Sequence, residues 1–250
     1  MDTKTPLLPQ SESTMLRRPS SRKLRRFHIA AFIAVLGLFW LGWTWQCPDP
    51  SHNHGRAEES KVPLEIHIMS KCPDARDCLQ NLVLPTMQKV SDKVDFRLSF
   101  IGKTTDEDDG VQCMHGQTEC LGNILELCAA HVYPDPKIYL GFTMCMSRNF
   151  DDIPKKDLVE DCALEHGMDF DKINHCVSQD DGAYAMDLLR KSVERSAEAN
   201  VTKSCTVRLN NKVRCIMDGG DWSECEGGSK PEDLERDIKS LYDASRGWAE

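Results

Sequence analysis

The sequence predicts an α/β fold: a βαβ unit, a long helical stretch and a closing ββα unit. Three observations point there. Two runs of alternating apolar residues bracket a run with helical spacing between residues 62 and 100. Alternation returns over residues 205–217 and is followed by a helical stripe. From about residue 118 to 200, strand signals are scarce while helix signals recur.

The first strand is Val62 to Met69, where Leu64, Ile66 and Ile68 alternate with Glu65 and His67. Leu79, Leu82, Val83, Met87 and Val90 then share a helical face. Pro85 is expected to kink or split that helix, because it lacks an N–H and crowds the preceding turn. Val94, Phe96, Leu98 and Phe100 mark the second strand, and the pair should be parallel with a right-handed crossover. In the helical stretch, Pro154 introduces Lys155 to His166 with Gly167 as a stop, Asp169 caps Phe170 to Val177, and Met186, Leu189 and Val193 stripe a longer helix. Cys205, Val207 and Leu209 then alternate with polar residues. Asn210-Asn211 suits the positive φ angles of a two-residue turn, and Lys212 to Met217 runs back as the partner strand. Ser229-Lys-Pro-Glu232 has the form of a capping box ahead of Leu234, Ile238, Leu241 and Tyr242. A βαβ and a ββα unit together make the thioredoxin-like arrangement, here over residues 62–250 with a disulfide-rich helical insertion at about 118–200.

Composition restricts the setting. The net charge of −9 argues against a nucleic-acid partner, and the clustered basic residues lie in the N-terminal tail. Twelve cysteines, eleven of them after residue 70, are too many free thiols for a reducing cytosol. Residues 1–26 read as a disordered basic tail, 27–46 as a transmembrane signal anchor and 47–61 as a linker. Arg17, Arg18, Arg22, Lys23, Arg25 and Arg26 precede the apolar run and carboxylates follow it, so the positive-inside rule puts the main domain in the lumen of the Golgi, endosome, lysosome or vacuole. A cleaved signal peptide, giving a secreted protein, is the rival reading. Asn200-Val-Thr202 is a glycosylation acceptor pattern accessible in such a lumen.

The stretch Ser70-Lys71-Cys72-Pro73-Asp74-Ala75-Arg76-Asp77-Cys78 sits where the first strand hands over to its helix. A thiol becomes nucleophilic there, since unpaired N–H groups and the helix dipole favour a thiolate, and Pro73 suits a first helical position that needs no donor. Cys72 is therefore the candidate nucleophile. The alternative is a structural disulfide closing a small loop. A second motif runs Cys113-Met-His115-Gly116-Gln-Thr-Glu119-Cys120-Leu-Gly-Asn123-Ile-Leu-Glu-Leu-Cys128. Cys and His are zinc's usual ligands, but the run lacks a tight paired-cysteine knuckle and the compartment favours bridges, so no metal is expected.

This second run resembles the signature of the gamma-interferon-inducible lysosomal thiol reductases (GILT), Cys-Gln-His-Gly-x-x-Glu-Cys-x-x-Asn-x-x-x-x-Cys. Cys113, His115, Gly116, Glu119, Cys120, Asn123 and Cys128 fit at the right spacing, and Met114 replaces the glutamine. The resemblance continues diffusely through Cys145, Asp161-Cys162, His166-Gly167 and Cys176. It implies a thiol reductase of thioredoxin-like fold, without a cofactor, that cuts disulfides of protein substrates in an acidic compartment and draws on a small-thiol or protein reductant. An ordinary thiol is almost wholly protonated at such a pH, so activity there requires a lowered thiol pKa.

Two departures stand out. The family's active pair is Cys-x-x-Cys, whereas Ala75 stands at the second position here and Cys78 comes three residues later. Six residues apart on a regular helix, two side chains are offset by about 240° and roughly 9 Å, too far to bridge. Either Pro73 to Asp77 forms a loop and Cys78 resolves Cys72, or Cys72 works without a local partner. The proline that thioredoxin folds carry before the third strand is also missing. Cys205 falls near its place and is an alternative resolving thiol. Cys113, Cys120, Cys128, Cys145, Cys162, Cys176, Cys215 and Cys225 read as structural bridges whose pairing spacing cannot assign, and His115 as a hydrogen-bonded loop residue. From another class, the same pattern fits a redox-silent, disulfide-stapled binding module of the secretory pathway.

Overall fold

The structure is a computed structural model that describes residues 61–106 and 110–247. The basic tail, the anchor at 27–46 and all of the linker but Lys61 lie outside the described residues. Among those described, no helix is long and apolar enough to cross a membrane.

β1 (Val62–Ile68) is central because both its neighbours hydrogen-bond to it. β2 (Val94–Phe100) pairs parallel, Val62 opposite Val94 and Ile68 opposite Phe100. Leu64, Ile66 and Ile68 are fully buried, as the alternation requires, but His67 is fully buried too. A central strand is covered on both faces, and here a helix of the insertion lies over the face that carries His67.

The helix after β1 comes in pieces: α1 (Pro73–Cys78), a π turn (Leu79–Val83) and α2 (Leu84–Val90). Pro85 opens α2, and the wider turn before it accommodates the bond that proline cannot donate, so the expected break is a π turn. A short hairpin, β3 (Lys103–Thr104) with β4 (Val111–Gln112), leads to the insertion.

The insertion is α3 (Gln117–Val132), α4 (Pro136–Arg148), α5 (Lys156–Glu165), α6 (Phe170–Ser178) and α7 (Ala183–Glu198). Asp135 and Asp169 cap α4 and α6 through their side chains. Cys128 of α3 is bridged to Cys176 of α6, and Cys145 of α4 to Cys162 of α5. α7 returns to the sheet, where Ser192 Oγ accepts from the Phe100 N–H and Ser196 Oγ lies 2.8 Å from His67 Nδ1.

The chain re-enters the sheet as β5 (Thr206–Leu209), antiparallel to β1, then β6 (Lys212–Asp218) and β7 (Asp221–Ser223), giving the order β2-β1-β5-β6-β7. Asn210 and Asn211 both take positive φ, as the turn between β5 and β6 demands. Cys215 of β6 is bridged to Cys225. α8 (Pro231–Gly247) closes the fold and packs on α2. Its start corrects the expected capping box. Pro231 fixes the first turn, so Lys230 rather than Ser229 is the cap, and Asp233 rather than Glu232 reaches back to the Lys230 N–H.

Candidate active site

Cys72 occupies the N-cap of α1 with extended backbone; its N–H donates to Met69 O and its carbonyl accepts from the Arg76 N–H. Pro73 follows at the first helical position. Ten of the eleven described cysteines are paired, and Cys72 is the free one. It is 9% exposed, at the edge of the core, and its S–H points to the Ser204 carbonyl oxygen 3.5 Å away.

Because α1 begins at Pro73, no loop brings Cys78 back to Cys72, and the expectation that Cys78 resolves Cys72 directly is corrected. Cys78 lies six positions along the chain from Cys72, at the far end of α1, a separation of roughly 9 Å along a helix and beyond the Cα range of about 7 Å that a disulfide spans. Cys78 is instead bridged to Cys205, with Cα atoms 6.2 Å apart. Cys205 stands immediately before β5, where thioredoxin folds carry their proline, and the Ser204–Cys205 peptide is cis. Ser204 turns toward the β1–α1 loop, its hydroxyl accepting from the Met69 N–H at 2.8 Å.

The charges around Cys72 are each committed elsewhere. Lys71 Nζ donates to the carbonyls of Asp151 and Ile153 at 3.0 and 2.7 Å. Arg76 pairs with Asp77 and lies over the Phe150 ring. The Asp74 carboxylate accepts from the N–H groups of Gly219 and Gly220, both at 2.9 Å, pinning the β6–β7 turn against the start of α1.

The signature run builds the wall behind this loop. Asn123, fully buried on α3, accepts the Ser70 N–H on Oδ1 at 3.0 Å and reaches Cys113 Sγ with Nδ2. Ser70 Oγ donates to the Glu119 carbonyl at 3.2 Å. The buried Glu119 carboxylate accepts from the Met114 N–H at 3.1 Å and holds His115 Nδ1. Gly116 enters α3 at φ +78, a conformation that favours glycine. A Cβ at Gly122 would stand 2.4 Å from Ile153 Cγ2 and 2.6 Å from Ser70 Oγ. Cys113–Cys120 closes the turn, with Cα atoms 5.5 Å apart, while Cys128 leaves for its bridge to Cys176. The signature thus acts as a bracket for Ser70 to Cys72. Its three sulfurs are spent on bridges, and His115 is spent on Glu119.

Sequence reasoning missed Ser70, Gly122 and Ser204. Gly122 lies inside the signature run, and Ser204 directly precedes the cysteine in the proline's place; both positions were visible, but neither declared its contact. Asn200, the acceptor of the glycosylation pattern, is exposed just after α7.

The family model described as gamma interferon inducible lysosomal thiol reductase matches residues 63–166. A GILT-like protein of Caenorhabditis elegans is 25% identical over 221 residues, covering 78% of this chain and 64% of its own length. The gamma-interferon-inducible lysosomal thiol reductase of Carassius auratus is 28% identical over 129 residues, covering 49% of each chain. The chain thus spans less than two thirds of the length of these relatives. Among solved structures, the thiol-disulfide exchange protein alpha-DsbA2 from Wolbachia pipientis superposes with a TM-score of 0.50 at 12% identity, covering 74% of this chain and 83% of that one, a likeness of fold.

Proposed function

From the premise that this chain belongs to the gamma-interferon-inducible lysosomal thiol reductase family, we propose that it is a thiol-disulfide oxidoreductase that reduces protein disulfides through Cys72. The observation that carries the reading is the lone free thiol among the described cysteines, held at a strand-to-helix junction by the signature residues. Cys72, as thiolate, attacks a substrate sulfur; a mixed disulfide forms and the other substrate sulfur leaves as thiolate. A second thiol then attacks the Cys72 sulfur, releases the substrate and is itself joined to Cys72. A further thiol equivalent restores the free form.

The lumenal, acidic setting belongs to the same proposal. It is supported by the basic residues before the apolar run at 27–46, by the bridges among the described cysteines, and by the word lysosomal in the family's description. The substrates are disulfide-containing proteins, and the reductant is a small thiol or a protein dithiol.

Cys72→Ser in the full chain is expected to abolish thiolate release from a chromogenic aromatic disulfide and reduction of a model protein disulfide. Full activity in that variant would remove Cys72 from the role. One observation favours the second reading, a redox-silent binding module: Ala75, fully buried, stands where the family's second cysteine belongs. A wild-type chain whose Cys72 neither alkylates nor reacts with the aromatic disulfide would establish that reading instead.

A further inference from the structure

Cys72 Sγ stands 3.5 Å from the Ser204 carbonyl oxygen, the next residue, Cys205, is bridged to Cys78, and the three sulfurs are unequally accessible. Cys78 and Cys205 are fully buried and bridged, whereas Cys72 retains 9% of its surface. An external thiol therefore has no direct route to the bridge, and Cys72 is the outlet toward solvent. The three are also unequal in reach. Cys72 and Cys78 stand six residues apart on a helix that begins at Pro73, too far to bond. Cys205 adjoins both: it is bonded to Cys78, and the carbonyl on which the Cys72 S–H rests belongs to Ser204, its neighbour in the chain.

The geometry points to a three-sulfur relay in which Cys205 resolves Cys72 and Cys78 then resolves Cys205. The relay rests on the reading of Cys72 as the nucleophile and assigns the two thiols that act after its attack. With all three thiols reduced, Cys72 attacks the substrate disulfide and carries one substrate sulfur. The Cys205 thiolate attacks Cys72; the Cys72–Cys205 bond forms and the second substrate thiolate leaves. The Cys78 thiolate attacks Cys205; the Cys78–Cys205 bond forms and Cys72 leaves as thiolate, taking up a proton. The two electrons delivered to the substrate come from the Cys78 and Cys205 thiols, and the end point is the pairing in the structure, with Cys72 free beside a sealed bridge.

Resetting runs in reverse. Cys72 attacks Cys205 and releases Cys78. One small thiol then opens the Cys72–Cys205 bond at Cys72, and a second frees Cys72, leaving as their own disulfide. The family's missing Cys-x-x-Cys partner is thus supplied across the fold, from the residue in front of β5.

The test uses the full chain, mildly reduced with a small dithiol, freed of it, and given one equivalent of a chromogenic aromatic disulfide. After an acid quench the thiols are alkylated and mapped by peptide mass. The relay predicts two aromatic thiolates per equivalent from the wild type, with Cys72 alkylated and Cys78–Cys205 bridged. In Cys78→Ser the last step is blocked, so two thiolates are still released but Cys72–Cys205 is the bridge that accumulates. A single thiolate, with the aromatic group retained on Cys72 and Cys205 alkylated, overturns the relay while leaving Cys72 as nucleophile. No release from either chain overturns the reading of Cys72 itself, and the relay with it. Where Cys78→Ser does not fold, the wild type read beside Cys72→Ser decides: two thiolates from the wild type and none from Cys72→Ser support the relay, and two from both overturn it.

Discussion

On β1 of the sheet, His67 is fully buried with Nδ1 2.8 Å from the Ser196 hydroxyl. On α3 of the insertion, Glu126 is equally buried, neither carboxylate oxygen making a well-formed hydrogen bond among the described residues. Burial pushes the two in opposite directions. It lowers His67 to about 4, against the pull of Glu65 and with the help of Arg208 and Arg195. It raises Glu126 well above 4.5, and Thr143 of α4 offsets only part of that. Burial favours the neutral form of both, so acid works against the first and with the second. The cysteines divide along the same line. The insertion's helices are clamped by bridges that begin and end inside it, whereas Cys78–Cys205 joins the βαβ unit to the ββα unit beside a free thiol. The insertion is a stapled block with a buried carboxyl, and the sheet carries the free thiol on which the proposed chemistry rests.

The largest effect that would break this contrast comes from opening the insertion's longest bridge. Cys128 and Cys176 are 48 residues apart, and a loop of that size is worth about 4 kcal/mol of unfolded-state entropy, little reduced by the shorter path through Cys145–Cys162. The double variant Cys128→Ala/Cys176→Ala should lose stability of that order in chemical denaturation. Cys113–Cys120, 7 residues apart, is worth about 2.5 kcal/mol by the same reasoning. Equal losses from the two would mean that native packing around the bridges, rather than loop closure, sets their value.

Next in size is the pH response. The folded pKa of His67 lies below its unfolded value of 6.5, so its contribution is complete above pH 6.5 and is lost as pH falls toward 4, about 3 kcal/mol in all. The folded pKa of Glu126 lies above its unfolded value, so its contribution is complete below pH 4.5 and is lost as pH rises from there through the folded pKa. Denaturation curves at pH 7, 5.5 and 4 separate them. His67→Gln should flatten the fall toward acid, and Glu126→Gln should raise stability at pH 7 while removing the gain on acidification. A wild-type acid slope retained in His67→Gln would move the sensitivity to another group.

Much of the sheet was legible because one residue in two is apolar along β1 and β2, and because Asn210-Asn211 states its turn in residue type. α4 was not. Tyr139, Leu140, Phe142, Thr143, Met144, Cys145, Met146 and Ser147 are all buried, so the helix has no polar face to set a period. The signature announced itself as a motif but not as a bracket, since its work is done by one amide and one backbone carbonyl on a serine some fifty residues earlier in the chain. The pairing of Cys78 with Cys205 lies across 127 residues, and sequence spacing holds no information about it.

The smallest expected effect lies at the seam where the two regions touch. Asn123→Ala strips the acceptor from the buried Ser70 N–H, two residues before Cys72, and an unsatisfied buried donor costs about 1–3 kcal/mol. Met69 keeps its hold on Ser204 and Ser70 Oγ keeps the Glu119 carbonyl, so the loop loosens without being lost. Stability should drop within that range, while the alkylation rate of Cys72 rises as the loop samples more open positions. Asn123→Asp retains an acceptor at the same place and should recover the Cys72 rate, though it buries a carboxylate. A stability loss with the Cys72 rate unchanged in Asn123→Ala would mean that the signature serves the insertion alone, and that the β1–α1 loop is held from the Ser204 side.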